Sequence, residues 1–252
     1  MRKERDMTDC LGPRLKVGVV LPATNTSVQP EMEAMRPEGV TNHTGRMQTE
    51  DTSLTGGIED LVSSYREATH RAIGSLLPCK PDCFVVAFSP EIYWDGPGSQ
   101  DEVVASMKSA SGGLPVTMSP DAFTTALSHY GARRLGVITP YVPAGDDSVS
   151  RFFTESGYDV VSMTGLGCSS PERIAHVPEP ELREAVKAVD TPDVEAIVQV
   201  GTNMAMMRVA AGAEEWLGKP VISNNTVLYW RALRQNGIAD RIRGFGSLAA
   251  EY

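Results

Sequence analysis

The sequence predicts an α/β fold built as two similar lobes, each a parallel sheet flanked by helices. Three observations predict it. Short apolar runs alternate with longer segments of helical period. The runs are nearly continuous in hydrophobicity, as suits parallel strands buried on both faces. Features of the first half return in the second.

The strand candidates are residues 15–21, 84–88, 135–139, 159–163 and 196–200, with shorter runs at 115–118 and 220–223. Each is bounded by polar or turn-forming residues. Between them lie helical stretches. In 58–77, Ile58, Leu61, Val62, Tyr65, Ala68, Ala72, Ile73 and Leu76 trace one face, the stripe of a helix packed on a core. Similar stripes run through 122–130, 182–189 and 204–217. Strands alternating with helices give parallel sheets joined by right-handed crossovers.

The duplication is faint but aligned. Gly113-Leu114-Pro115-Val116 leads to Ala126-Leu127 and Gly131, and Gly218-Lys219-Pro220-Val221 leads to Ala232-Leu233 and Gly237. The run 17–21 opens into Pro22-Ala23-Thr24-Asn25 much as 136–139 opens into Pro140-Tyr141. G-x-P-V is also a common entry to a strand, so chance alone could produce part of the match. Two facing βαβ halves would bring their strand ends to one cleft, where open α/β sheets bind ligands. The expected division is a loose tail over 1–13, a first lobe of 14–118 with a C-terminal segment of about 226–252, and a second lobe of 119–225.

Composition excludes several classes. The 252 residues carry 23 Lys plus Arg against 32 Asp plus Glu, a net charge of −9, which disfavours a nucleic-acid partner. A membrane span is not expected, since no apolar run of about 18 residues occurs. The N-terminus is charged and does not read as a signal peptide. Reduced thiols in a cytoplasmic protein are therefore expected, and the expected assembly is a homo-oligomer. Cys10, Cys79, Cys83 and Cys168 have no zinc spacing, and His43, His70, His129 and His176 form no metal pattern, so no metal is expected. Neither G-x-G-x-x-G nor G-x-x-x-x-G-K-[ST] is present, which leaves nucleotide binding unsupported.

Small polar clusters end the strands instead. Asn25, Thr26 or Ser27 can cap a helix whose first turn holds Pro30-Glu31, and the same helix N-terminus can receive a carboxylate. In Ser89-Pro90-Glu91-Ile92-Tyr93-Trp94, Ser89 can donate to a substrate oxygen and Glu91 can act as acid or base; packing of Tyr93 and Trp94 on a neighbour is the plainer reading. Gly201-Thr202-Asn203 offers close backbone approach, a hydroxyl and an amide, with Met204, Met206 and Met207 expected in the core. Asn224-Asn225-Thr226 reads first as an N-cap. Tyr141 places a phenol beside the cleft, and Arg46 is the best cation for a carboxylate.

Together these clusters resemble the aspartate/glutamate racemase superfamily, in the branch of maleate cis-trans isomerases and arylmalonate decarboxylases. The resemblance rests on Gly18-Val19-Val20-Leu21-Pro22-Ala23-Thr24-Asn25-Thr26, Gly45-Arg46-Met47, Thr139-Pro140-Tyr141, Gly201-Thr202-Asn203-Met204 and Gly218-Lys219-Pro220-Val221-Ile222-Ser223-Asn224, and spans about 15–249. It implies an Asp/Glu racemase-like fold, no cofactor, and a small carboxylate substrate. By the same resemblance, Asn25 and Thr26 hold a carboxylate, Tyr141 donates to a developing oxyanion, and Thr202 and Asn203 complete the hole. The family's two cysteines are replaced: the first falls at about Ser89-Pro90 and the second at Gly201. Two repairs follow, a relocated thiol at Cys168 or a carboxylate, Glu91 or Asp95, as acid/base. The expected activity is a cofactor-independent lyase or isomerase passing through an enediolate. The alternative is a carboxylate binder without chemistry.

Overall fold

The computed structural model describes residues 9–48, 58–88, 93, 98 and 100–252. Among them are two four-stranded parallel sheets with one topology. The first has the order β2-β1-β3-β4 and the second β6-β5-β7-β8. Its strands are β1 (Leu15–Pro22), β2 (Val40–Met47), β3 (Cys83–Val86) and β4 (Val116–Met118); the second sheet holds β5 (Arg134–Thr139), β6 (Asp159–Gly165), β7 (Ala196–Gln199) and β8 (Val221–Ser223). The helices among the described residues, numbered in chain order, are α1 (Val28–Met35), α2 (Ile58–Leu76), α3 (Gln100–Ala110), α4 (Ser119–Tyr130), α5 (Pro143–Glu155), α6 (Glu179–Val189), α7 (Met207–Leu217), α8 (Asn224–Gln235) and α9 (Ser247–Glu251).

The apolar runs form the central strands because both sheet faces are covered. Every residue of β3 and β7 is buried. Pairing of β1 with β3 joins Val20 to Val86, and pairing of β5 with β7 joins Ile138 to Gln199. Extended by two residues beyond Val86 and Gln199, the repeat matches Gly18 with Gly136, Ala87 with Val200, and Phe88 with Gly201. Both glycines lie under close packing: a Cβ at Gly18 would meet the Phe84 ring at 2.6 Å, and one at Gly136 would meet the Val189 carbonyl at 2.9 Å.

Strand β2 has no counterpart in the apolar runs. Its sequence, VTNHTGRM, alternates between buried ends and half-exposed polar centres, because it is an edge strand bonded only to β1. Helices α3, α5 and α9 also lie outside the expected stripes. The stripe at 204–217 becomes helical only from Met207, and Met204, Met206 and Met207 are buried as expected. Gly131 closes α4 in the left-handed conformation that a side chain disfavours.

Helices α4 and α8, which follow the equivalent strands β4 and β8, pack on each other between the sheets. Helix α8 also covers β3 and β4. The core is accordingly continuous across the two sheets, with Trp230, Tyr229, Phe84, Phe123, Phe152 and Phe153 almost wholly enclosed. Burial of each such side chain is worth roughly 1.5–3 kcal/mol, so the lobes are held as one body. At the far end Arg14 forms an ion pair with Asp240. Among the described residues, no helix is long and apolar enough to cross a membrane.

Candidate functional site

Parallel strands end on one side of a sheet, so the termini of β1, β3, β5 and β7 converge. They line a partly open cavity of about 150 Å³. Its wall comprises Pro22, Thr24 and Asn25 after β1, Phe88 after β3, Ser119 after β4, Tyr141 after β5, Gly201, Thr202 and Asn203 after β7, and Asn224 after β8. Tyr65, Tyr93, Pro171 and Ile174 close it. No lining side chain among these is charged. No group of three or more His, Cys, Asp or Glu among the described residues could hold a metal ion.

The amides are built into the wall. Asn25 Oδ1 accepts from the N–H groups of Ser27 and Val28, each at 3.0 Å, and so caps α1. Its Nδ2 donates to Thr202 Oγ1 at 3.1 Å, and Thr202 Oγ1 donates to the Ala87 carbonyl at 2.9 Å. Asn203 Oδ1 accepts from Thr26 N–H at 2.9 Å, while its Nδ2 donates to the Pro171 carbonyl at 2.9 Å. Asn224 Oδ1 accepts from Gly201 N–H, and its Nδ2 donates to Ser119 Oγ at 2.9 Å. Ser119 and Asn224 each open the helix after an equivalent strand, so this bond joins matched positions of the two lobes.

That network separates fixed groups from available ones. The Asn203 side chain is engaged at both ends. Among the described residues, Asn25 and Asn224 each retain one unused Nδ2 hydrogen, and Ser119 retains its hydroxyl hydrogen. The N–H groups of Thr202 and Asn203 have no partner among the described residues. Two phenols complete the donor set. Burial pushes Tyr141 up to about 12, helped by nearby Asp146, and also pushes Tyr93 well above the ordinary phenol value. Both are therefore neutral donors near pH 7. The Tyr93 hydroxyl is buried with no partner, while its ring packs edge-on against Phe152 at 5.2 Å. Opposite lies an apolar wall, with Phe88 stacked on Tyr65 at 4.3 Å.

The structure thus brings Asn25, Tyr141, Gly201, Thr202, Asn203 and Asn224 together. It places other expected residues elsewhere. Thr26 is exposed and contributes its backbone N–H to Asn203 rather than a hydroxyl to the cavity. Arg46 is exposed on β2, where its guanidinium braces the carbonyls of Ala23 and Asn25; β2 is an edge strand, and its side chain reaches the outside of the loop. Cys168 lies on a loop laid along 139–141 by bonds from Leu166, Gly167 and Cys168 to Thr139, Tyr141 and Pro140 carbonyls. Its thiol is half-buried, raised by burial, and absent from the cavity lining. The cap of α8 is Ser223 rather than Asn224, which frees Asn224 for the lobe junction. Ser89, Glu91 and Asp95 lie outside the described residues.

Sequence reasoning missed Phe88, Tyr65, Ser119, Pro171 and Ile174 as wall residues, and gave Tyr93 only a packing role. Applying the duplication to β3 and β7 would have found Phe88. The repeat makes it the mate of Gly201, one residue before the expected Ser89-Pro90. Gly201 itself is committed to glycine. Its φ is +103°, and a Cβ there would lie 2.7 Å from Cγ and Cδ of Pro140. Conformation and space both exclude a cysteine without local rearrangement.

Strand order, converging strand ends and the cavity between them define a two-lobed α/β protein of Asp/Glu racemase-like architecture. Residues 86–249 match the arylmalonate decarboxylase family, and the chain belongs to it. It is 24% identical over 251 residues to a maleate isomerase of Geobacillus stearothermophilus, covering 94% of this chain and 98% of that one. Against an arylmalonate decarboxylase of Bordetella bronchiseptica, identity is 24% over 228 residues, with 89% and 82% covered. The fold is shared with a Nocardia farcinica maleate cis-trans isomerase, a cysteine-to-serine variant with a covalently bound succinylcysteine intermediate, at TM-score 0.85 and 22% identity over 94% of this chain and 99% of that one. An arylmalonate decarboxylase structure superimposes at TM-score 0.75, with 20% identity and coverage of 94% and 100%. These relatives are isomerases and decarboxylases, and the family is one of enzymes.

Proposed function

We propose that this protein is a cofactor-independent lyase or isomerase acting on a small carboxylate or dicarboxylate through an enediolate-like intermediate. One observation carries the reading: a cavity lined by hydrogen-bond donors from the strand ends of both sheets, with no charged side chain among its described lining residues, in a chain of this enzyme family. Loss of carbon dioxide, or of an α proton, leaves an electron pair that spreads onto the remaining carboxylate. The Thr202 and Asn203 N–H groups, the unused hydrogens of Asn25 and Asn224, and the Tyr141 hydroxyl are the donors that steady this charge. Such donors act strongly in a site that excludes water.

The repeat sets Phe88 against Gly201 and neither is a thiol, so proton transfer at carbon is assigned to a non-thiol group. Glu91 is our choice, with Ser89, bonded directly to wall residue Phe88, donating to a substrate oxygen. The test is an assay with maleate and with alkyl- and aryl-substituted malonates, following isomerisation and carbon dioxide release without added cofactor. Turnover of one of them that is lost in Glu91→Gln supports the reading.

The lost thiol positions favour a second reading, a carboxylate-binding protein without chemistry. It predicts saturable binding of the same compounds with no product.

A further inference from the structure

Behind the cavity wall, Glu31 connects both lobes. It stands half-buried in the first turn of α1. Its Oε1 accepts from Met207 N–H at 2.9 Å, at the start of α7, and its Oε2 accepts from Asn225 Nδ2 at 2.7 Å. Asn225 Nδ2 also donates to the Thr202 carbonyl at 2.8 Å. Both hydrogens of that amide are thereby used, while Asn225 Oδ1 is buried with no partner.

This arrangement needs an acceptor at both oxygens of Glu31, which is what an ionised carboxylate supplies. A protonated carboxyl carries an O–H in need of an acceptor. One unfilled acceptor sits on the same amide, Asn225 Oδ1. Turning the amide over satisfies the O–H, but sets oxygen against the Thr202 carbonyl and removes its donor. The network therefore has two alternative states, one of which holds the Thr202 turn.

We propose that Glu31 is a positioning residue: as a carboxylate it fixes the Thr202–Asn203 turn of the cavity through Asn225, and its protonation releases that turn. The effect on ligand binding rests on the carboxylate reading given above; the effect on the turn does not. Burial raises the Glu31 carboxyl to about 7, opposed by the bonds from Asn225 and Met207, so the exchange falls near neutral pH. Neighbouring charges have other partners. Arg208 shares the outer groove with Glu31, donates to the Gly244 carbonyl and lies over Phe245. On β2, His43 bonds Thr41 and Arg46 braces carbonyls. On α8, Tyr229 bonds Asn42 and Arg231 pairs with Asp121. On α1 itself, Glu33 pairs with Arg36.

The sign on stability runs opposite to that on function. A carboxyl raised from its ordinary 4.5 to about 7 holds its proton more tightly in the folded chain. Stability contributed by the protonated group is full at low pH and is lost as pH rises toward 7. Glu31→Gln removes this loss, yet glutamine cannot accept at both ends, so the Thr202 turn is released.

The test is amide NMR of the ligand-free full chain between about pH 5 and 9, with thermal melts and a parallel titration of maleate and malonate. The Thr202 and Asn203 amides and the Asn225 side-chain amide are expected to titrate together near pH 7 in the wild type and to lie flat in Glu31→Gln. At pH 8 the variant is expected to melt no lower than the wild type while binding the better probe about tenfold more weakly, the scale of one lost charged hydrogen bond. Resonances that stay still in the wild type, or titrate equally in the variant, overturn the proposal. Failure of both probes to bind while the amides still titrate defeats the carboxylate reading alone and leaves the proposal standing.

Discussion

The two lobes share strand order and register, yet they meet the cavity with opposite chemistry. At the first sheet's matched positions stand Val86, Met118 and Phe88; at the second's stand Gln199, Ser223 and Gly201. Gln199 is buried and fully engaged, donating to the Val200 and Gly201 carbonyls and accepting from Asn224 N–H. The acids at the fourth position of α1 and α5 differ likewise. Glu31 crosses to the other lobe, whereas Asp146 turns back to Thr139 on its own strand end. A duplicated frame has thus become an aromatic wall on one side and a polar, backbone-rich turn on the other. Symmetric chemistry by two matched thiols has no residues here to perform it.

Substitutions that break this asymmetry rank by expected effect. Tyr141→Phe removes the neutral phenol donor; turnover of the best substrate is expected to fall about a hundredfold, as when one oxyanion donor is lost. Steady-state kinetics check this, and a fall in affinity alone would make Tyr141 a binding group only. Gly201→Ala forces a Cβ toward Pro140 at positive φ and is expected to cost about 2 kcal/mol in urea denaturation. Unchanged stability would show that the turn can relax. Tyr93→Phe deletes a buried hydroxyl without a partner, so the ligand-free protein is expected to gain about 1 kcal/mol; a loss would reveal a partner for that group. Smallest is Cys168→Ser, expected to alter turnover by less than about twofold, since the half-buried thiol lies outside the cavity lining and the exchange is nearly isosteric. Abolished turnover there would restore the relocated-thiol idea.

Much of the fold was legible because parallel strands buried on both faces must be apolar throughout, as at 15–21 and 196–200. Edge strand β2 was not, since VTNHTGRM buries mainly its ends. The candidate site was legible in kind at Asn25, Tyr141, Gly201, Thr202 and Asn224, where polar residues follow apolar runs. How those amides spend their hydrogen bonds was not, because Asn25 meets Thr202, and Asn224 meets Ser119, over separations no local pattern records. Phe88 was hidden for another reason. An aromatic at the end of an apolar run reads as strand, and only the register of both sheets pairs it with Gly201.

The central claim is that an anionic oxygen is held by uncharged donors, and the most direct measurement is a crystal structure with maleate or malonate bound. One carboxylate is expected in the cavity, within hydrogen-bond reach of the Thr202 and Asn203 N–H groups and the Tyr141 hydroxyl. A ligand seated instead at the Arg46 face or beside Cys168, with the cavity holding only water, would contradict it.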